Sequence, residues 1–185
     1  IGPSVGAELV RKSIISFILV SLGIIFFIAY SFRKVSRVVS SWKYGFIAIV
    51  TLIHDILIPV GVFAILSHVY GTEVDTLFVV AILTILGLSV SDTIVVFDRV
   101  RENIRIGNFK TFEETVGRSL EQVYTRSIAT SSTVIIVLLA LVFFGPASTK
   151  VFAMMLTAGM FLGAYSSIFL ASPLLVMFNN MGKNK

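Results

Sequence analysis

Only two charged side chains, Asp55 and Asp92, fall inside the five long apolar stretches of this 185-residue sequence, and both have neighbours suited to moving a proton. His54 precedes Asp55 in the middle of the second stretch. Imidazole titrates near neutrality, and a carboxyl taken out of water favours its neutral form, so the pair could relay protons. It could equally be a polar clamp between helices, and both readings stay open for His54 and Asp55. Asp92 stands in Gly87-Leu88-Ser89-Val90-Ser91-Asp92-Thr93, where Thr84, Gly87 and Ser91 share one helical face at spacings of 3, 4 and 7. Small and hydroxylated residues let a second helix approach closely, so Gly87 and Ser91 read as packing positions. A charge at the bilayer centre costs about 2.5–3.5 kcal/mol on insertion scales and so faces the bundle interior. Asp92 therefore reads as a protonation site. Asp98 follows about 9 Å along the helix, at the interface, where charges are ordinary.

Arg126 opens the fourth stretch, and with Thr130 and Thr133 it gives one helical face a polar stripe. A guanidinium keeps its charge at any working pH, so near a carboxylate it acts as a fixed counter-charge. From spacing alone it could also be an arginine snorkelling to the inner interface. The last stretch carries Gly159-x-x-x-Gly163, a close-packing signal, followed by Ser166, Ser167 and Pro173.

These residues need helices to hold them. The chain is 56% hydrophobic and 14% charged, with a mean hydropathy of +0.97. A soluble domain has about 25% charged residues, so disorder, nucleic-acid binding as the main task and an ordinary soluble enzyme are excluded. The stretches 14–32, 44–66, 77–97, 127–144 and 151–178 are each long enough to cross a bilayer as a helix. With no dyad alternation, the expected fold is all-α and polytopic, a single domain of five membrane spans. Between spans three and four, Thr111-Phe112-Glu113-Glu114 reads as a capping box. Phe112, Val116, Leu120 and Val123 then continue an apolar stripe, so 112–125 is expected to be an amphipathic helix on the inner surface.

The net charge of +5 is placed asymmetrically. Segment 33–43 (Arg33, Lys34, Arg37, Lys43), segment 98–126 and the tail (Lys183, Lys185) hold twelve of the fifteen basic residues; Arg11, Lys12 and Lys150 lie opposite. The positive-inside rule then sets the N-terminus outside and the C-terminus inside. An outside start at Ile1 leads us to expect an upstream span and an external domain ahead of it. Cysteine is absent, which excludes disulfides and thiolate metal sites, and His54 with His68 makes no zinc site. There is no phosphate-binding Gly-Lys-Ser/Thr loop. Asp55 and Asp92 also lack the Gly-x-Gly-Asp surround of intramembrane aspartyl proteases.

The sequence resembles the SecF branch of the SecD–SecF protein-export family. The resemblance rests on Gly2-Pro3-Ser4-Val5-Gly6, Ile53-His54-Asp55, Ser91-Asp92-Thr93 running on to Arg101-Glu102-Asn103, Thr125-Arg126-Ser127-Ile128, and Gly163-Ala164-Tyr165-Ser166-Ser167 on to Pro173. Two departures stand out. Leu88-Ser89-Val90-Ser91-Asp92 replaces the family's Tyr-Ser-x-Asn-Asp, and the chain supplies spans two to six of a six-span bundle whose external domain follows the first span. The resemblance implies transport and not bond-making catalysis. It implies an accessory subunit that uses the proton gradient to assist preprotein export, with a SecD-like subunit and the Sec channel as partners, in membrane lipid and without nucleic acid. Asp92 would bind and release the proton and Arg126 would modulate it; His54 and Asp55 join the candidate coupling residues on the relay reading of the pair itself. No cofactor is implied beyond the ion gradient, and Na⁺ is an alternative to H⁺. Competing readings are a non-conducting scaffold for the SecD-like subunit and the channel, or a small-solute exporter of the wider superfamily.

Overall fold

The structure, a computed structural model, describes residues 3–31, 41–71, 74–107 and 109–181. Arg33, Lys34, Arg37, Lys183 and Lys185, on which the charge asymmetry leans, lie outside the described residues, as does Gly2. Among the described residues every regular element is a helix: α1 (Pro3–Ser31), α2 (Ser41–Tyr70), α3 (Thr76–Ile106), α4 (Phe112–Phe144), α5 (Ala147–Ser166) and α6 (Ser172–Met181). A π-helical turn, Ser167–Ala171, joins α5 to α6, so that Ala147–Met181 is one span and five spans result.

Local chemistry sets the helix ends. The Asp75 side chain accepts a hydrogen bond from the Phe78 N–H at 2.8 Å and caps α3. Gly107, at φ 71°, closes that helix in a left-handed conformation that costs a glycine nothing. Thr111 Oγ1 accepts from the Glu114 N–H at 3.1 Å, as a capping box requires. The reciprocal arm differs by one residue: the Glu114 carboxylate accepts from the N–H of Lys110 at 3.2 Å.

The separate surface helix expected over 112–125 is corrected here. Phe112–Phe144 is one continuous helix of 33 residues, and 112–125 forms its first turns. The stretch 118–144 holds neither proline nor glycine to break the ladder. The apolar stripe of Phe112, Val116 and Val123 packs inward against Val96, Phe97 and Val100 of α3, so it is covered by protein.

α5 is the central element and packs on α2, α3 and α4, while α1 leans on α2 and α3. Two apolar clusters fill the ends of the bundle. One gathers Ile28, Tyr44, Ile47, Phe97, Val123 and Leu175; the other gathers Phe63, Ala81, Ile85, Leu138, Met155 and Met160. Large apolar side chains such as Phe26, Phe46, Phe143 and Phe161 point outward, as expected where hydrocarbon is the solvent.

Helix backbones approach most closely at Gly159 and Gly163. A Cβ added at Gly159 would overlap the Ile85 side chain, and one at Gly163 would stand 3.2 Å from Ser89 Cα. The face of α3 that meets α5 is therefore Ile85 and Ser89. This corrects the expectation for Gly87 and Ser91: both are exposed, and nothing lies within 4 Å of a Cβ built on Gly87. Gly159→Leu is accordingly expected to lose about 1–3 kcal/mol by overpacking. Gly87→Leu should leave stability unchanged, and thermal unfolding of the two variants in detergent checks the pair.

Candidate functional site

Between the two apolar clusters lies a belt of buried polar residues: Thr51, Asp55, Ser89, Thr93, Ser127, Ser131, Ser166 and Ser167. Asp55 is its centre, with 0% of its surface exposed. One carboxylate oxygen, Oδ2, accepts from Ser89 Oγ of α3 at 2.5 Å and from Ser166 Oγ of α5 at 2.6 Å. The other, Oδ1, lies 2.9 Å from Nδ1 of His54, whose side chain is 34% exposed. Three helices thus meet at one carboxyl group. Hydrogen bonds to a charged group are worth about 1.5–3 kcal/mol each, so three of them are on the scale of the several kcal/mol that burying an ion costs.

Asp92 is placed differently. It is half-buried on α3, one turn beyond Ser89, and turned toward α4 instead of α5. Its Oδ2 accepts from Ser131 Oγ at 3.4 Å, the long limit of a hydrogen bond. Arg126 lies five residues before Ser131 on α4 and is exposed. The structure brings Asp92 together with Ser131 and does not pair it with Arg126. Thr130 and Thr133, on the same exposed stripe, donate to the carbonyls of Arg126 and Ala129 in their own helix. Hydroxyls satisfied this way can face lipid or a neighbouring helix at little cost.

The sequence-derived residues therefore fall into two groups. Asp55, His54, Ser166, Gly159 and Gly163 converge around the α2–α3–α5 contact. Ser167 is buried beside them but donates to Ala164 O of its own helix. Asp92 and Arg126 lie along the α3–α4 seam. Ser89 and Ser131, the hydroxyls that serve the two carboxyl groups, were not singled out by the sequence reading. A signal existed, because Ser89 lies one turn before Asp92 and Ser131 falls among hydroxyl residues in an otherwise apolar span.

The helix ends on the side of Ser31 are tied crosswise. Arg101 donates to Ser31 O at the end of α1 (2.8 Å), and Lys43 donates to Phe178 O near the end of α6 (2.7 Å). Asn103 donates to Ser119 Oγ and Gln122 Oε1 across the α3–α4 hairpin, at 2.8 and 2.9 Å. Cations at C-terminal carbonyls satisfy groups that a helix end leaves open.

A family model described as protein export membrane protein SecD/SecF, C-terminal, matches residues 1–181. Protein translocase subunit SecF of Thermobaculum terrenum is 51% identical over 180 residues, covering 97% of this chain and 56% of that protein. Its counterpart in Anaerolinea thermophila is 38% identical over 181 residues, covering 97% of this chain and 58% of its own length. Protein translocase subunit SecDF of Thermus thermophilus is 36% identical over 184 residues, with 99% of this chain and 23% of that one matched. A crystal structure of SecDF in a super-membrane-facing form superimposes with a TM-score of 0.84 at 33% identity, over 100% of this chain and 23% of that chain. The chain thus spans a little over half the length of the SecF relatives it matches.

The site geometry has a covalent test. A Cβ on Gly163 would lie 3.3 Å from Ser89 Cβ, close to disulfide spacing, and the chain has no cysteine of its own. The double variant Ser89→Cys/Gly163→Cys should cross-link under mild oxidation, while Ser91→Cys/Gly163→Cys should not. Gel mobility of a protease-nicked sample with and without reductant distinguishes them.

Proposed function

The chain belongs to the SecD/SecF family of protein-export membrane proteins, and on that footing we propose that it is the membrane portion of an accessory Sec translocase subunit that draws on the proton gradient to help preproteins across the membrane. Its partners in this reading are a SecD-like subunit, the Sec channel and the emerging preprotein. It is a multi-pass membrane protein that moves ions and polypeptide and makes no covalent bonds. The N-terminus lies outside and the C-terminus inside, following the basic loops.

Asp92 carries the reading. A half-buried carboxyl in the middle of a spanning helix, with a single long hydrogen bond to Ser131, is free to change its protonation state. In its neutral form it can sit in the bundle at little cost, and in its ionised form it needs a counter-charge. Arg126 supplies that charge in the proposed cycle from the same helix as Ser131, with a side chain long enough to move along the seam. Each proton falling through 100 mV releases about 2.3 kcal/mol from the potential alone. That is enough to shift a two-state equilibrium of a few kcal/mol with one or two protons.

A SecD-like neighbour is supported by the face α4 leaves open. Only 11% of its most apolar stretch is buried, and Arg126, Thr130 and Thr133 lie on the uncovered side. A basic residue and two hydroxyls suit a protein neighbour better than hydrocarbon. The SecDF relatives, of which this chain matches 23%, are long enough to contain such a second half.

The test is export driven in membrane vesicles by the assembled complex. Asp92→Asn should reduce the gradient-dependent part of export to the level seen without a gradient, while ATP-driven export and complex assembly persist. Unchanged gradient dependence in the assembled variant would leave only the scaffold role. Replacing the proton gradient with a sodium gradient identifies the coupling ion.

A further inference from the structure

Asp55 is not needed to explain Asp92, yet it is the most completely buried ionisable group in the belt, and its surroundings are organised in a particular way. Its own helix is interrupted beside it. Pro59, four residues on, has no N–H to donate to the Asp55 carbonyl, so the α2 ladder is missing a rung there. Its partner Ser166 stands immediately before the π-helical turn Ser167–Ala171, and Pro173 follows that turn. The carboxyl group therefore lies between two breaks in helix regularity, one on α2 and one on the last span. Single π-turns recur at functional sites because they loosen a helix without breaking it.

We infer that Asp55 is a second proton-binding site, loaded through His54 and separate from Asp92, whose charge state sets the hydrogen bonding of Ser166 at the π-turn of the last span. The inference deepens the proposed proton-coupled function and rests on it. Two hydrogen-bond states follow from the distances. With Asp55 ionised, Ser89, Ser166 and His54 all donate to the carboxylate. With the proton on Asp55 Oδ2, that oxygen's own O–H must donate, and one of the two serine hydroxyls that meet it must turn away. Ser166 has an alternative acceptor ready, because the Gly163 carbonyl lies 3.3 Å from the same Oγ. That carbonyl also accepts the N–H of Ser167, the first residue of the π-turn. A proton arriving at Asp55 thus adds a competitor for a carbonyl that closes the helix just where its register changes.

The proton step is balanced within the pair. His54 in its neutral Nδ1–H form gives that proton to the carboxylate while Nε2 takes one up from the surroundings, so the imidazole stays neutral, and a half-turn of the carboxyl group carries the new O–H to the side of Ser89 and Ser166. His54 is partly exposed and Asp55 is sealed, so exchange with the surroundings passes through the imidazole. The titratable groups facing Asp55 are His54 on its own helix and Asp92 on α3, which lies one turn from Ser89. α5 offers only hydroxyls there, and the charged residues of α1, Glu8, Arg11 and Lys12, lie near its N-terminal end. No metal or second ligand is required.

The test is infrared difference spectroscopy of the full-length complex in lipid, titrated from acidic to alkaline pH. A protonated-carboxyl C=O band should disappear on titration in the wild type and in Asp92→Asn, and be missing from Asp55→Asn. Identical titration spectra for wild type and Asp55→Asn would overturn the inference. Ser166→Ala keeps the carboxyl and removes one of its donors, so it guards against an Asp55 variant that fails to assemble. It should move the pH at which the band titrates, and an unmoved band would equally overturn the inference. The spectra do not depend on export. An Asp92→Asn complex that keeps gradient-dependent export defeats the proposed function, whereas a silent Asp55 beside a dead Asp92→Asn defeats this inference alone.

Discussion

A carboxyl group with no exposed surface, in the middle of a bundle whose outer solvent is hydrocarbon, must find every hydrogen bond inside the protein. Asp55 imposes that requirement, and much of the bundle is built to meet it. Its donors come from α3 and α5 as well as from its own helix, so three helices must converge within hydrogen-bonding distance of one side chain. Convergence of that order needs small residues at the crossing. Gly159 and Gly163 provide them, and the seat of Ser89 against Gly163 is what delivers its hydroxyl to Asp55. Without a hydrophobic driving force between helices, such packing and polar contacts are what specify one arrangement.

Around this centre the structure is uneven. α2, α3 and α5 form a tight core, whereas α1 and α4 present most of their apolar surface outward: 6% and 11% of their most apolar stretches are buried. Both outer helices are also tied by polar contacts at the end of the bundle that holds Ser31. There Arg101 meets the last carbonyl of α1, and Asn103 bridges α3 to the first turns of α4. α4 is also packed against α5 and α3 along its length, with Leu138 in the apolar cluster at the far end of the bundle.

The spans themselves were legible, because length and hydropathy decide them. Helix faces were not. In a soluble helix the buried face is marked by its apolar residues, but here the outward face is apolar too, so Gly87 and Ser91 looked as suitable for packing as Ile85 and Ser89. Ser89 and Ser91 differ by two residues, about 200° around a helix, and only one of them meets α5. Asp55 and Asp92 were visible as lone charges in apolar runs, because their insertion cost marks them whatever face they take. Their partners were not visible, since a serine next to a carboxyl on another helix leaves no trace in local sequence. The π-turn was equally hidden: Pro173 hints at a disturbed ladder but does not say that an extra residue will be taken up before it. The interfacial helix over 112–125 was misplaced for a related reason. An apolar stripe beside charges describes a helix on a membrane surface and a helix packed against its neighbour equally well.

α3 carries both carboxyl partnerships, and their unequal strength indicates which seam can give. Ser89 binds Asp55 at 2.5 Å on a face locked against α5 by glycine contacts. Asp92, one turn along and rotated by about 60°, reaches Ser131 at 3.4 Å across a seam whose far side is open. Hydrogen bonds weaken steeply with length, so the first contact resists displacement and the second offers little resistance. In the proposed cycle a proton at Asp92 therefore acts on α4, carrying Arg126 and the polar stripe, while α3 stays with α2 and α5. Ionisation of Asp92 draws the guanidinium in, and protonation releases it. In that cycle the contacts of Asp55 hold and the contact of Asp92 gives. A proton-driven device needs both, since force applied to a helix does work only if the helix beside it holds still.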